Sequence, residues 1–148
     1  MPETQPPLRN IFGSLIARAG RQWRRAVDRR LQPFGLTEAT WLPLIYLARA
    51  PVAMRQKDLA AALVLDGSTV VRLLDALEAA GLIERKEESG DRRAKTLAVT
   101  ALGFSIVDRV EAASREVRTA TLAGLSDTEL AVATRVLEAV CRNLGNQG

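Results

Sequence analysis

The chain contains no histidine. The commonest general base and the commonest metal ligand are therefore both missing. Its single cysteine, Cys141, can form neither an internal disulfide nor a thiolate cluster. No GxGxxG or GxxxxGK[ST] phosphate loop is present. Carboxylate pairs such as Glu87–Glu88 sit in charged, solvated stretches rather than in a pocket built for proton transfer. These absences leave no catalytic set, no metal site and no implied cofactor, so an enzyme ranks last among the readings. Apolar runs fall far short of the ~20 residues that a membrane span needs. The opening PETQPPLRN is polar and proline-rich, with no apolar core of a secretory signal. A cytoplasmic protein without membrane attachment is the expectation.

What is present is ordinary globular material. With 148 residues, 47% hydrophobic and 26% charged, the chain has the size and composition of one domain with its own core. The net charge of +4 is unevenly spread. Residues 1–33 hold seven arginines against Glu3 and Asp28, and residues 85–95 hold five cations against three anions. Basicity concentrated in two places points to local contact with something anionic.

Apolar residues recur at helical spacing through Leu8, Ile11, Phe12, Leu15, Ala19, Trp23, Val27 and Leu31, and Pro33 and Gly35 stop that helix. Thr37 is a good N-cap for a second helix reaching about Ala50. Pro43 inside it predicts either a kink or a later helix start. A short helix is expected from about Arg55 to Leu63. Another runs from about Gly67 to Ala80 after the Asp66-Gly67-Ser68 turn, with Val70, Leu73, Leu74 and Leu77 on one face. Gly81 suits the left-handed position after its end. The period then changes to two. Leu82 to Glu87 and Lys95 to Thr100 read as the strands of a hairpin around Ser89-Gly90, with Leu97 and Val99 sharing a face. Thr100 caps a long helix to about Leu122. Ser126-Asp127-Thr128-Glu129 is a capping box for a last helix that ends at Gly145.

Two short helices joined by a tight turn and followed at once by a hairpin form a winged helix-turn-helix. The expected fold class is thus mainly α with a small β-hairpin wing, flanked by long N- and C-terminal helices. In such a unit the second helix lies in the DNA major groove. Ser68 and Thr69 then reach phosphates or bases, and Arg72 can fork onto guanine. Gln56, at the start of the preceding helix, is placed for a phosphate. The hairpin tip presents Arg92, Arg93 and Lys95, cations suited to a narrow minor groove. Asp91 makes sense there as the acid that pairs with an arginine and holds the tip. The blander reading is that the helix residues are ordinary solvent-facing side chains and that the tip is a solvated loop. The helix pair, the hairpin and the local charge together favour double-stranded DNA as partner. The alternative is a winged-helix protein-interaction module without DNA binding. A membrane-surface role for the arginine-rich first helix is a third reading.

The run LDGSTVVRLLDALEAAGLIERKEESGDRRAKTLAVTALG, with LTEATWLPL upstream and WRRAVDRRL in the first helix, resembles the MarR family of transcriptional regulators. It looks closest to the SlyA-like branch. The DRRAK wing followed by the Thr-x-x-Gly helix start is the specific part, and the likeness spans nearly the whole chain. It implies one MarR-type domain over 1–148, with dimerisation helices at about 8–34 and 101–145 and a winged helix-turn-helix at about 37–100. It further implies a homodimer on a pseudo-palindromic operator, most often as a repressor. By the same likeness Arg72 is the recognition-helix arginine, Arg93 the minor-groove arginine, Arg85 a wing-strand residue near the DNA backbone, and Asp91 the acid that positions the wing. Independently, first and last helices this apolar carry more surface than one small winged helix covers, which favours a dimer over a monomer in which they pack on each other.

Relatives of this kind respond to small phenols or aromatic carboxylates held between the dimer helices and the winged helix. Arg21, Trp23 and Trp41 are the candidate ligand contacts here, Arg21 because it matches a carboxylate-binding position of the SlyA-like proteins. Two aromatic planes and a guanidinium suit an aromatic acid. Core packing is the competing role for both tryptophans, and a solvated face for Arg21. Ala39 and Ile45 stand where relatives carry polar side chains, so a drier pocket is expected. Cys141, beside Val140, reads as a buried thiol of the dimer helices rather than a redox sensor.

Overall fold

A computed structural model describes the backbone of residues 7–88 and 91–147, and the side chains of 7–87 and 95–147. The chain order is α1 (Leu8–Leu31), a 3-10 turn (Gln32–Phe34), α2 (Glu38–Arg49), α3 (Gln56–Leu63), α4 (Gly67–Ala79), β1 (Ile83–Glu88), β2 (Asp91–Val99), α5 (Ala101–Thr121) and α6 (Asp127–Gly145). It is the helical fold with a hairpin wing that the sequence predicts. Two compact units follow one another, Met1–Val117 and Arg118–Gly148.

The core of the first unit draws on α1 to α4, both strands of the wing and α5. Val27 and Leu31 of α1 meet Trp41, Leu44 and Ile45 of α2, Leu59 of α3, Val70, Leu74 and Leu77 of α4, Ile83 and Leu97 of the wing, and Val107, Val110 and Val117 of α5. Polar ties fix the same packing. The Trp41 indole N–H donates to the Asp28 carboxylate at 3.0 Å, joining α2 to α1. Arg49 grips both oxygens of Glu111 at 3.0 and 3.1 Å, joining α2 to α5. The Arg109 guanidinium lies 4.3 Å from the centre of the Phe34 ring.

Helix ends follow their local chemistry. Thr37 is the N-cap residue of α2, but its hydroxyl lies near that of Thr40 at 3.4 Å and makes no cap bond. The Thr37 carbonyl instead accepts the Thr40 and Trp41 N–H groups at 2.9 and 3.0 Å. Pro43 does not delay the helix start; it lies buried inside α2. Its missing N–H removes the helical donor to the carbonyl of Ala39, an exposed residue. Gly81, at φ +74°, turns the chain from α4 into β1. Thr100 caps α5: its hydroxyl donates to the Gly81 carbonyl at 2.6 Å and accepts the Gly103 N–H at 3.0 Å. Gly103 is buried, and a Cβ there would overlap the Leu82 carbonyl oxygen.

The wing departs from expectation at its far strand. β2 begins at Asp91 rather than Lys95, and a bulge falls between Glu87 and Glu88, so that Glu87 faces Lys95 while Glu88 faces Asp91. A third short partner completes it. Arg55 bridges to Thr96, and the Leu97 N–H donates to the Met54 carbonyl at 2.9 Å.

In the second unit, Ser126 and Glu129 form the expected capping box at the start of α6. The Glu129 N–H donates to the Ser126 hydroxyl, and the Ser126 N–H donates to the Glu129 carboxylate, each at 3.1 Å. The Ser126 N–H, joined by the Ser126 hydroxyl donating to the same carboxylate oxygen at 3.0 Å, holds the Glu129 carboxyl below its ordinary range. α6 ends at Gly145 as expected, and Asn146 caps it. In the single protomer α6 buries none of its residues, and the Cys141 thiol is exposed.

Candidate nucleic-acid interface and effector cavity

α4 presents two unlike faces. Val70, Leu74 and Leu77 point into the core, while Ser68, Val71, Arg72 and Asp75 face out. That division follows from the 3.6-residue period, which places 68, 71, 72 and 75 together. The first turn is held by Asp66, the N-cap residue of the Asp66-Gly67-Ser68 turn. Its carboxylate accepts the Thr69 N–H at 2.7 Å and the Ser68 hydroxyl at 2.8 Å. These bonds, the Thr69 N–H foremost, and to a lesser degree the nearby Arg72 charge, lower its pKa from 3.8 to about 2. The D-x-x-T spacing, an aspartate three residues before an N–H that needs an acceptor, was the available signal.

Among the described residues Arg72 makes no hydrogen bond or ion pair, so its five donors are open on the outer face of α4. Ser68 is exposed, with its hydroxyl proton engaged on Asp66; Thr69 is half-buried; Gln56 is the half-buried first residue of α3. Lys95 is exposed on β2. Asp91, Arg92 and Arg93 are in the backbone of β2, but their side chains lie outside those described. Arg85 is differently placed from its neighbours. Its guanidinium is held by two α4 carboxylates, Asp75 at 2.8 Å and Glu78 at 2.9 Å.

A cavity of about 700 Å³ opens between α1, α2, the 50–54 turn and α5. Trp23 and Trp41 both line it, with Tyr46, Ile45, Met54 and Val110. Arg21 does not; it is exposed elsewhere on α1. Three residues further on, Arg24 lines the cavity, as does Glu111-bound Arg49. Arg24 has no hydrogen bond or ion pair among the described residues, which makes it the open cation of the wall. The Trp41 ring is 3% exposed and its N–H is committed to Asp28, so it serves the core and the cavity wall together. Ile45 lies in this wall, whereas Ala39 lines a second cavity of about 390 Å³ that reaches Thr69 and Leu73 of α4. Arg24 and Leu42 border both. Among the described residues no group of acidic or cysteine side chains could hold a metal ion, and no helix is long and apolar enough to cross a membrane.

Comparison with known proteins gives this geometry its context. The MarR family model matches residues 34–94, from the turn after α1 into the wing. The crystal structure of transcriptional regulator PA3341 is similar at 39% identity, covering 91% of this chain and 98% of that one, with a TM-score of 0.84. A MarR family regulator from Rhodococcus sp. RHA1 is 28% identical over 92% of this chain and 96% of its own, with a TM-score of 0.76. CouR from Rhodococcus jostii RHA1, solved with p-coumaroyl-CoA bound, is 29% identical over 92% and 95%, also with a TM-score of 0.76. The partly exposed recognition helix, its hairpin wing and this likeness along the chain place the protein in the MarR family of DNA-binding transcriptional regulators, a family that is not enzymatic.

Proposed function

We propose that two copies of this chain bind a pseudo-palindromic operator as a repressor, and that an aromatic acid or its thioester in the larger cavity releases them. The observation that carries the DNA half is the outer face of α4, where Arg72 stands without a protein partner beside Ser68. Arg72 forks onto a guanine in the major groove, with Ser68 and Thr69 on adjacent phosphates or bases and Gln56 on the backbone. Arg92, Arg93 and Lys95 of the wing enter the minor groove, and Asp91 holds the tip. The DRRAK wing is what suggests the SlyA-like branch within the family. Residues 37–100 make up the reading head, while 8–34 and 101–145 join the two copies. Support for the dimer comes from apolar side chains left in solvent by one protomer. On α1, Leu8 is 77% exposed and Leu15 45%; on α6, Leu144 is 62% exposed and Leu137 43%. A regulator of this kind works in the cytoplasm.

The cavity fits a flat acyl group. Its volume lies in the usual range for small-molecule sites, and two indoles and an unpaired guanidinium suit an aromatic ring with an anionic end. Arg24 takes the carboxylate or thioester-side contact, the place in which the sequence suggested Arg21. That CouR was solved with p-coumaroyl-CoA makes an aromatic CoA thioester the first ligand to try.

The test is fluorescence anisotropy on the intergenic DNA upstream of the protein's own gene, against a shuffled duplex, at several salt concentrations. We expect preference for the native duplex and affinity that falls steeply with salt. Arg72→Ala should lose about 1–3 kcal/mol on the native duplex and relax its specificity. Arg93→Ala should weaken binding without unfolding the protein. Equal losses for Arg72→Ala on both duplexes would contradict base reading. Adding p-coumaroyl-CoA, the free aromatic acid or free CoA to the complex tests release. No release by the thioester or the acid would refute the ligand half.

A further inference from the structure

We propose that Arg85 is a positioning residue that couples the wing to the recognition helix through Asp75 and Glu78, rather than a contact to DNA. The geometry is specific. One guanidinium nitrogen donates to Asp75 at 2.8 Å and the other to Glu78 at 2.9 Å. The second oxygen of Glu78 accepts the Arg85 backbone N–H at 3.2 Å. Glu78 therefore holds both the side chain and the main chain of one β1 residue. The Arg85 side chain is 18% exposed, against 62% for Asp75 and 44% for Glu78. Its donors are turned inward onto α4, which leaves little of the fork to offer a phosphate.

Two consequences follow for a protein that reads DNA at two grooves. Asp75 shares the outer face of α4 with Ser68 and Arg72, so an unpaired carboxylate there would meet the phosphates as a like charge. Arg85 neutralises part of that charge from behind. It also fixes the distance between α4 and the hairpin. Arg85 faces Leu97 across the ladder, and Leu97 is buried in the core, so a tie at Arg85 carries through both strands. A recognition helix and a wing that must engage neighbouring grooves together gain from being held at one separation before they meet the duplex.

The inference rests on sequence-specific operator binding, and the experiment tests that first. A duplex enriched from a random library by the wild-type protein is compared with an unselected duplex, by anisotropy, for wild type, Asp75→Asn/Glu78→Gln, Arg85→Ala and the triple variant. Thermal melts confirm that each variant is folded. Removing two carboxylates should tighten binding to DNA on charge alone. If Arg85 positions the wing through them, Asp75→Asn/Glu78→Gln instead weakens binding to the selected duplex, by roughly threefold to tenfold, while binding to the unselected duplex is unchanged or tighter. Arg85→Ala then adds little on the doubly neutralised background, because the partners it acted through are gone. Tighter binding to both duplexes would mean that Arg85 is freed to contact phosphate, and would overturn the proposal. Equal weakening on both, or no change on either, would overturn it as well. A wild-type protein with no preference for any duplex would refute operator reading itself, and this inference with it.

Discussion

Replacing Gly103 by alanine puts the packing of α5 on the wing to a direct test. In a helix the exchange normally stabilises, by about 1 kcal/mol. Here the added Cβ lands on the Leu82 carbonyl oxygen, closer than side-chain carbons approach oxygen, and 2.7 Å from a Val99 methyl. The methyl could rotate away. The carbonyl cannot, because Leu82 is buried and its oxygen accepts the Thr100 N–H at 3.1 Å. Relief requires α5 to move off the base of the hairpin. Such overpacking costs about 1–3 kcal/mol, and loosening the Thr100 bond costs about another 1 kcal/mol. Set against the helical gain, the net loss is about 2 kcal/mol, or roughly a 4–8 °C fall in Tm for a chain of this size. The assay is thermal unfolding at fixed protein concentration, since the Tm of any self-associating protein depends on concentration. Gly67→Ala supplies the contrast, for nothing lies within 4 Å of a Cβ there, and it should leave Tm equal or raised. A Gly103→Ala protein as stable as wild type would refute the reasoning, because no flexible side-chain tip is available to give way.

Other positions test other links. The Asp66 carboxyl is held at about 2 in the folded chain, below its ordinary 3.8, so its contribution to stability is complete above that ordinary value and fades as pH falls toward 2. Asp66→Asn should flatten the acid dependence of unfolding across that window; an unchanged pH profile would show that the cap bond is not formed in solution. Trp41→Phe removes the N–H that Asp28 accepts at 3.0 Å and should cost about 1 kcal/mol in urea unfolding, whereas a neutral result would mean that Asp28 is satisfied by water. Val64 sits at φ +54° in the turn between α3 and α4, a left-handed conformation that costs a β-branched residue about 1–2 kcal/mol. Val64→Gly should raise stability by about 0.5–1 kcal/mol after the added chain entropy is counted. A decrease would mean that the 89% exposed valine side chain stabilises the turn in some other way.

The parts of this molecule that were readable in advance are those that a local period or a local cap decides. All six helices begin within a residue of where their apolar spacing and capping residues place them, and the α4 core face is the one its repeat requires. The features that escaped depend on how elements meet. β2 begins at Asp91 because the bulge at Glu87–Glu88 lets the strand keep pairing past residues that look like a turn. The third strand of the wing is a single bridge at Arg55, invisible to any period. Arg21 and Arg24 differ by three positions, about sixty degrees around α1, and only the seating of α2 decides which of them borders the cavity.

The same division runs through the candidate site. Arg72 is legible as a candidate contact because it makes no hydrogen bond or ion pair among the described residues. Arg85 looks equally cationic in the sequence, in a stretch where cations outnumber anions, and so invites the same role. Its acidic partners lie seven and ten positions back, on a different element, and they come within reach only once β1 turns back along α4 at Gly81. A cation's contribution to DNA binding therefore depends less on its being there than on which carboxylates the fold has already brought to it. By that criterion Arg72, without a hydrogen bond or ion pair among the described residues, stays a candidate contact, while Arg85 is held by Asp75 and Glu78.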